Sequence, residues 1–76
     1  MMNWQMFESK LLISAAYDAE PRILHLRFRS GDVYRYFDFP AERYQQFLDA
    51  ESRGRYFLSH IRNHFRYERL ARFQAA

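Results

Sequence analysis

At 76 residues and 20% aromatic, the chain is long enough for one domain but not two, and too rich in rings to be disordered. The absence of Cys excludes disulfides, thiolate metal sites and thiol nucleophiles and fits a cytoplasmic protein, and no apolar run approaches the ~20 residues of a membrane helix. The net charge of +3 is uneven: residues 1–51 hold six cations and eight anions, whereas residues 52–76 hold six Arg against Glu68 alone, which points either to an anionic partner, nucleic acid being the commonest, or to a solvated face.

Residues 1–8 read as an N-terminal arm in which Trp4, Met6 and Phe7 dock on the domain. Leu11 to Asp18 is a first strand, closed by the turn residues Asp18-Ala19-Glu20-Pro21. In Arg22 to Arg29, Leu24, Leu26 and Phe28 alternate with His25, Arg27 and Arg29, the period of a half-buried strand with a basic outer face. Ser30-Gly31-Asp32 is a hairpin turn and Val33 to Phe39 a third strand. A two-residue turn would put Tyr34 and Tyr36 outside with Arg27. A three-residue turn puts them in the core and leaves Arg35 and Phe37 outside, because a one-residue slip exchanges every side chain. The second register is favoured, since burying Arg35 in mid-sheet is costly whereas Tyr can bury its ring and keep its hydroxyl at the rim.

Pro40 then changes the period. Tyr44, Phe47 and Leu48 fall at i, i+3 and i+4, an amphipathic helix over Ala41 to Ala50 with Pro at its first position. Ser52 is placed to cap a second helix in which Phe57, Ile61 and Phe65 recur every four residues. Tyr67, Leu70 and Phe73 leave that stripe, so the helix should bend or stop near Phe65 to Tyr67. The fold class expected is α+β: a three-stranded antiparallel β-meander followed by two α-helices packed on one face (βββαα), spanning residues 9–70 with a tail at 71–76.

Several of these residues form a family pattern. Tyr17-Asp18, the run Leu24-His25-Leu26-Arg27-Phe28, Gly31, Tyr34-Arg35-Tyr36, Pro40, Ser52-Arg53-Gly54-Arg55-Tyr56-Phe57 and Ile61-Arg62 together resemble the KTSC domain. That family is named for the C-terminal extension of some lysyl-tRNA synthetases and also occurs as small stand-alone bacterial proteins. The resemblance implies a small α+β fold and a suggested role in RNA binding, with no catalytic residues. The chain departs from the family pattern at Ala16, where Gly is expected, and at Leu58, where Asn is expected.

The candidate chemistry is sparse. No Ser sits in a Gly-x-Ser-x-Gly elbow. His60 and His64 stand at i and i+4 as zinc ligands do, but Ile61 occupies the place of the Glu in a zinc-protease motif, and Arg62 and Arg66 would repel a cation. A surface pair is the better reading, and no metal or other cofactor is expected. The strongest constellation is the second helix. Ser52 opens it, Arg53 and Arg55 flank its start, and Gly54 permits close approach by an anion. At ~100° per residue Arg55, Arg62 and Arg66 fall within roughly 40° of one another, about 120° from the apolar stripe. The alternative is that Ser52 only caps, Gly54 only relieves crowding and the arginines pair with Asp49, Glu51 or Glu68.

A second patch joins Arg27, Arg29 and Arg35 with Phe37, or with Tyr34 and Tyr36 in the other register, the pairing of cations and rings that single-stranded nucleic acid needs. The expectation is a non-enzymatic binding module for RNA or another polyanion, with weak sequence preference and a steep loss of affinity with salt. The rival expectation is a protein-interaction module or homodimer, because so short a chain has trouble hiding Trp4, Phe7, Phe37 and Phe73 together.

Overall fold

The computed structural model describes residues 3–72. The elements are β1 (Gln5–Met6), β2 (Leu12–Asp18), β3 (Ile23–Phe28), β4 (Asp32–Tyr36), α1 (Ala41–Asp49), α2 (Arg53–Tyr56), a π-helical turn (Phe57–Ile61) continuing α2, and β5 (Tyr67–Arg72). The strands form one antiparallel sheet of order β1-β2-β3-β4-β5. The meander therefore has five strands rather than the expected three, the additions lying at its two edges. The arm contributes β1, which pairs Gln5 with Ala15 and Met6 with Ser14. The segment after the helices contributes β5, so residues 71 and 72 belong to the sheet, while Phe73 lies outside the described residues.

Three residues, Arg29, Ser30 and Gly31, separate β3 from β4, and Gly31 sits at φ 97°, closing a bond to the carbonyl of Phe28 at 2.9 Å. This is the three-residue hairpin, whose last position wants a left-handed backbone that Gly adopts without steric cost. It sets His25 opposite Arg35 and Leu26 opposite Tyr34, the register that turns both tyrosines to the core face. Arg22 and Asp38 also take positive φ, 58° and 55°. They shorten the expected strands: β3 starts at Ile23, and β4 ends at Tyr36. The amide of Phe39 then reaches the carbonyl of Arg22 at 2.9 Å, and the Phe39 ring turns inward, fully buried. Pro40 is the N-cap of α1 (φ −67°, ψ 143°), one position earlier than expected, and no side chain caps that end.

Both helices pack on one face of the sheet. Phe39, Phe47, Leu24, Leu26, Leu12 and Ile61 are fully buried there. Rings join the layers edge to face: Phe7 with Phe47 at 5.5 Å between centroids, Phe28 with Phe57 at 5.1 Å and Phe39 with Phe65 at 4.7 Å, tilted 46°. Tyr17 and Tyr44 stack at 4.9 Å, and the Tyr17 hydroxyl donates to the carbonyl of Phe39. The second helix lies against the entry to β2 at Gly54, where an added Cβ would make ordinary van der Waals contacts, 3.4 Å from Ser9 Oγ and 3.6 Å from Leu11 Cβ. That helix ends sooner than expected. The amide of Arg62 bonds the carbonyl of Phe57 at 2.8 Å, a five-residue π step, and Asn63 at φ 67° takes the chain out of the helix.

A domain this small depends on each buried ring. Phe47→Ala should lower the unfolding free energy by about 3–5 kcal/mol, whereas Arg55→Ala, on an exposed position, should stay within about 0.5 kcal/mol, both read by urea denaturation at 25 °C.

Candidate nucleic-acid interface

The helix-free face of the sheet is built by the register of β3 and β4. Ala16, His25, Arg35 and Glu68 form one row across β2 to β5, and Ser14, Arg27 and Val33 a second. Trp4, just before β1, joins this face. Its ring stands edge-on to His25 at 6.3 Å between centroids, and the Arg27 guanidinium lies over it at 4.1 Å. At the other end Phe37 carries two guanidinium groups, Arg66 at 5.0 Å and Arg35 at 5.9 Å. The amide of Phe37 also bonds the carbonyl of Arg66 at 2.9 Å, which ties the ring to the segment leading into β5. Trp4 and Phe37 are both half-buried, each held by cations at about cation–π distance.

Acids share the face. Glu68 pairs with Arg35, and Asp38 stands 3.9 Å from Arg66 with both side chains well exposed. Burial holds the His25 imidazole below its ordinary value of 6.5; the Arg35 charge acts in the same direction and Asp18 opposes it. The neutral imidazole is therefore favoured on this face.

The residues expected in the site fall into three groups. Arg27, Arg35 and Arg66 share the open sheet face, Arg27 on Trp4 at one end and Arg35 and Arg66 on Phe37 at the other. Arg29 and Arg53 are engaged in holding the fold. Arg29 donates to the carbonyls of Ser9 at 2.8 Å and Phe7 at 3.3 Å, fastening the arm to the β3–β4 turn. Arg53 donates to the carbonyl of Leu48 at 2.7 Å and lies 5.0 Å from the Phe7 ring centroid, clasping α1 to the arm. Ser52 accepts the amide of Arg55 at 3.2 Å as the cap of α2, and Gly54 is occupied by the packing of Ser9 and Leu11. At the start of the four-residue α2, Ser52 thus caps, Arg53 is held by a carbonyl and Gly54 meets Ser9 and Leu11.

The third group is the helical stripe, which the early helix end breaks. Arg55 stays exposed on α2 and Arg62 is the first residue past the helix, but Arg66 belongs to the segment before β5 and meets Phe37. The same break parts the histidines: His60 rests on Tyr56 at 4.6 Å, and His64 lies beyond the helix. Tyr34 and Tyr36 lie on the opposite face of the sheet from Arg35. With Tyr67 they form a cluster of three rings, each 5.6 to 6.2 Å from the others. Burial raises the Tyr36 hydroxyl far above its ordinary range, the neighbouring Tyr34 and Tyr67 add to this, and Arg62 opposes it. Sequence reasoning missed Trp4 and Tyr67 as site residues. Trp4 stands beside a strand too short to show a period, and Tyr67 carried no signal while the segment was read as helix or tail.

Comparison with known proteins places the whole arrangement. Residues 8–65 match the KTSC domain family. An uncharacterised protein of Stutzerimonas stutzeri is 42% identical over 64 residues, covering 83% of this chain and 90% of its own. A lysine–tRNA ligase of a Nostoc species is 33% identical over 64 residues, 84% of this chain but only 11% of the ligase. The crystal structure of a KTSC domain protein from Yersinia pestis superposes with a TM-score of 0.89 at 31% identity, covering 93% of this chain and all of that one. With the family match over most of its length and its fold superposing on that of a KTSC domain protein, the chain belongs to the KTSC domain family.

Proposed function

We propose that this domain is a non-enzymatic binding module for single-stranded RNA, or a polyanion like it, and that the open face of the sheet is its platform. The observation that carries the reading is the stacking of Arg27 on Trp4 and of Arg66 and Arg35 on Phe37, all on the face that bears no helix. A base needs a flat apolar surface and its phosphate needs a cation. A ring already stacked with a guanidinium supplies both, and at low conformational cost because the pair is preformed. That domains similar to this one form part of proteins named lysine–tRNA ligases fits an RNA partner.

The charge balance modifies the expected salt response. Of the three arginines on the face, Arg35 and Arg66 have carboxylates beside them, so the cationic surplus rests mainly on Arg27. Stacking then carries more of the affinity than ion release does, and the response to salt is shallow rather than steep.

The rival reading, a protein-interaction module or homodimer, draws on exposed apolar residues: Met6, Leu58, Tyr67 and Leu70 are 45–72% exposed. Met6 lies on one edge strand and Tyr67 and Leu70 on the other, with Leu58 across a cleft from Tyr67, while Phe7 is buried. Sedimentation of a clean monomer at high concentration removes the homodimer.

Fluorescence anisotropy with labelled unstructured RNA tests the platform. Binding at micromolar protein and low salt is expected, with a slope of log K against log salt between about −0.7 and −2, as for one to three phosphates. Trp4→Ala should weaken it by about 1–3 kcal/mol. No binding at low salt overturns the reading. A second outcome concerns pH: because phosphate favours the charged imidazole while the free domain holds His25 below 6.5, affinity should rise as pH falls from 7 toward 5.5, and His25→Gln should abolish that rise.

A further inference from the structure

On the helix side of the sheet, the early end of the second helix leaves β4 and β5 partly uncovered. A cleft of about 370 Å³ opens there, at the small end of the range for small-molecule sites. Its wall is the tyrosine cluster. Tyr34 and Tyr36 are nearly parallel, 18° apart with centroids at 6.2 Å, and Tyr67 closes the triangle at 5.6 and 5.8 Å. Tyr36 is buried, whereas Tyr67 is 56% exposed, so one ring of the cluster offers its surface to a ligand. Arg62 and Asn63 form the lip. Among the described residues neither side chain makes a hydrogen bond or ion pair, and Asn63 is fixed by the left-handed turn that ends the helix. Ser30 and Asp32 also line the cleft; the Ser30 hydroxyl donates to the Asp32 carboxylate at 3.0 Å, and that carboxylate is paired with Arg69 at 3.6 Å.

The mixture of groups selects the ligand. An aliphatic or aromatic peptide side chain would use the rings but leave the three tyrosine hydroxyls, an amide and a guanidinium without work. A base stacks on Tyr67, its edge takes both a donor and an acceptor from the Asn63 amide, and a phosphate takes the exposed Arg62 fork. We propose that this cleft binds a single nucleotide, its base against Tyr67 and its phosphate on Arg62. The site is separate from the open sheet face and stands whether or not that face binds RNA. The same chemistry has two sources, a free nucleoside monophosphate or the phosphorylated end of an RNA strand.

The test is calorimetric titration of the full chain carrying Arg27→Ala, Arg35→Ala and Arg66→Ala, which removes the cations of the open face, none of which lines the cleft. AMP and UMP are one arm and a short RNA with a terminal phosphate the other. Saturable binding at or below about 1 mM in the first arm assigns a free nucleotide, and binding in the second arm alone assigns a strand end. Arg62→Gln should weaken binding about tenfold, the loss of one charge-assisted hydrogen-bonded contact. Leu58→Trp, at a position 50% exposed on the rim, should block the cleft without touching the core. An unchanged amide spectrum shows that each variant is folded. No saturation in either arm, or binding that both Arg62→Gln and Leu58→Trp leave undiminished, overturns the proposal.

Discussion

The tight connection between β3 and β4 governs where this domain's chemistry goes. With Gly31 in the left-handed region and three residues in the turn, Leu24 faces Tyr36, Leu26 faces Tyr34 and His25 faces Arg35. One residue fewer would reverse the whole of β4, exposing the tyrosines and driving Arg35 under the helices. A side chain with a Cβ at Gly31 would meet the left-handed penalty of about 1–2 kcal/mol. The turn therefore determines both the aromatic core face and the guanidinium-bearing open face.

Arginine serves two ends in this molecule, and position decides which. Arg29 and Arg53 tie the arm to the turn and to α1 through backbone carbonyls, which a planar fork with several donors does better than Lys. Arg35, Arg66 and Arg69 stand beside Glu68, Asp38 and Asp32. The Arg66–Asp38 pair is largely solvent-exposed and contributes little to stability, while Asp32 and Arg35 are partly covered; all three pairs damp the positive field. The excess cation in residues 52–76 is thus dispersed over the molecule, and stacking rather than net charge distinguishes the open face. The cleft on the other side owes its existence to the π step at Phe57–Ile61, which ends the helix early.

Much of this was legible in the sequence where local period and turn chemistry agree. The alternation in Leu24 to Arg29, the helical spacing of Tyr44, Phe47 and Leu48, the Ser52 cap and the preferred hairpin register all follow from short-range rules. The edges were not legible. Gln5–Met6 is too short to show a period, and in β5 a bulge between Tyr34 and Val33 puts Leu70 out of step, so that Tyr67, Arg69 and Ala71 do not read as an alternating strand. The basic stripe failed for a related reason. Its angular argument assumed an α-helix through Arg66, and nothing in Phe57-Leu58-Ser59-His60-Ile61 marks a π step or a left-handed Asn63. Guanidinium groups bound to carbonyls are likewise invisible in a sequence, because their partners lie up to 22 residues away.

The open-face account is tested most directly by a nuclear magnetic resonance titration with unstructured RNA, following the indole of Trp4, the one tryptophan, and the side-chain Nε signals of the arginines. The account predicts progressive shifts of the Trp4 indole and of Arg27, Arg35 and Arg66, with Arg55 on the far layer unmoved. A titration that shifts Arg55 and its helix while leaving Trp4 and Arg27 in place would contradict it.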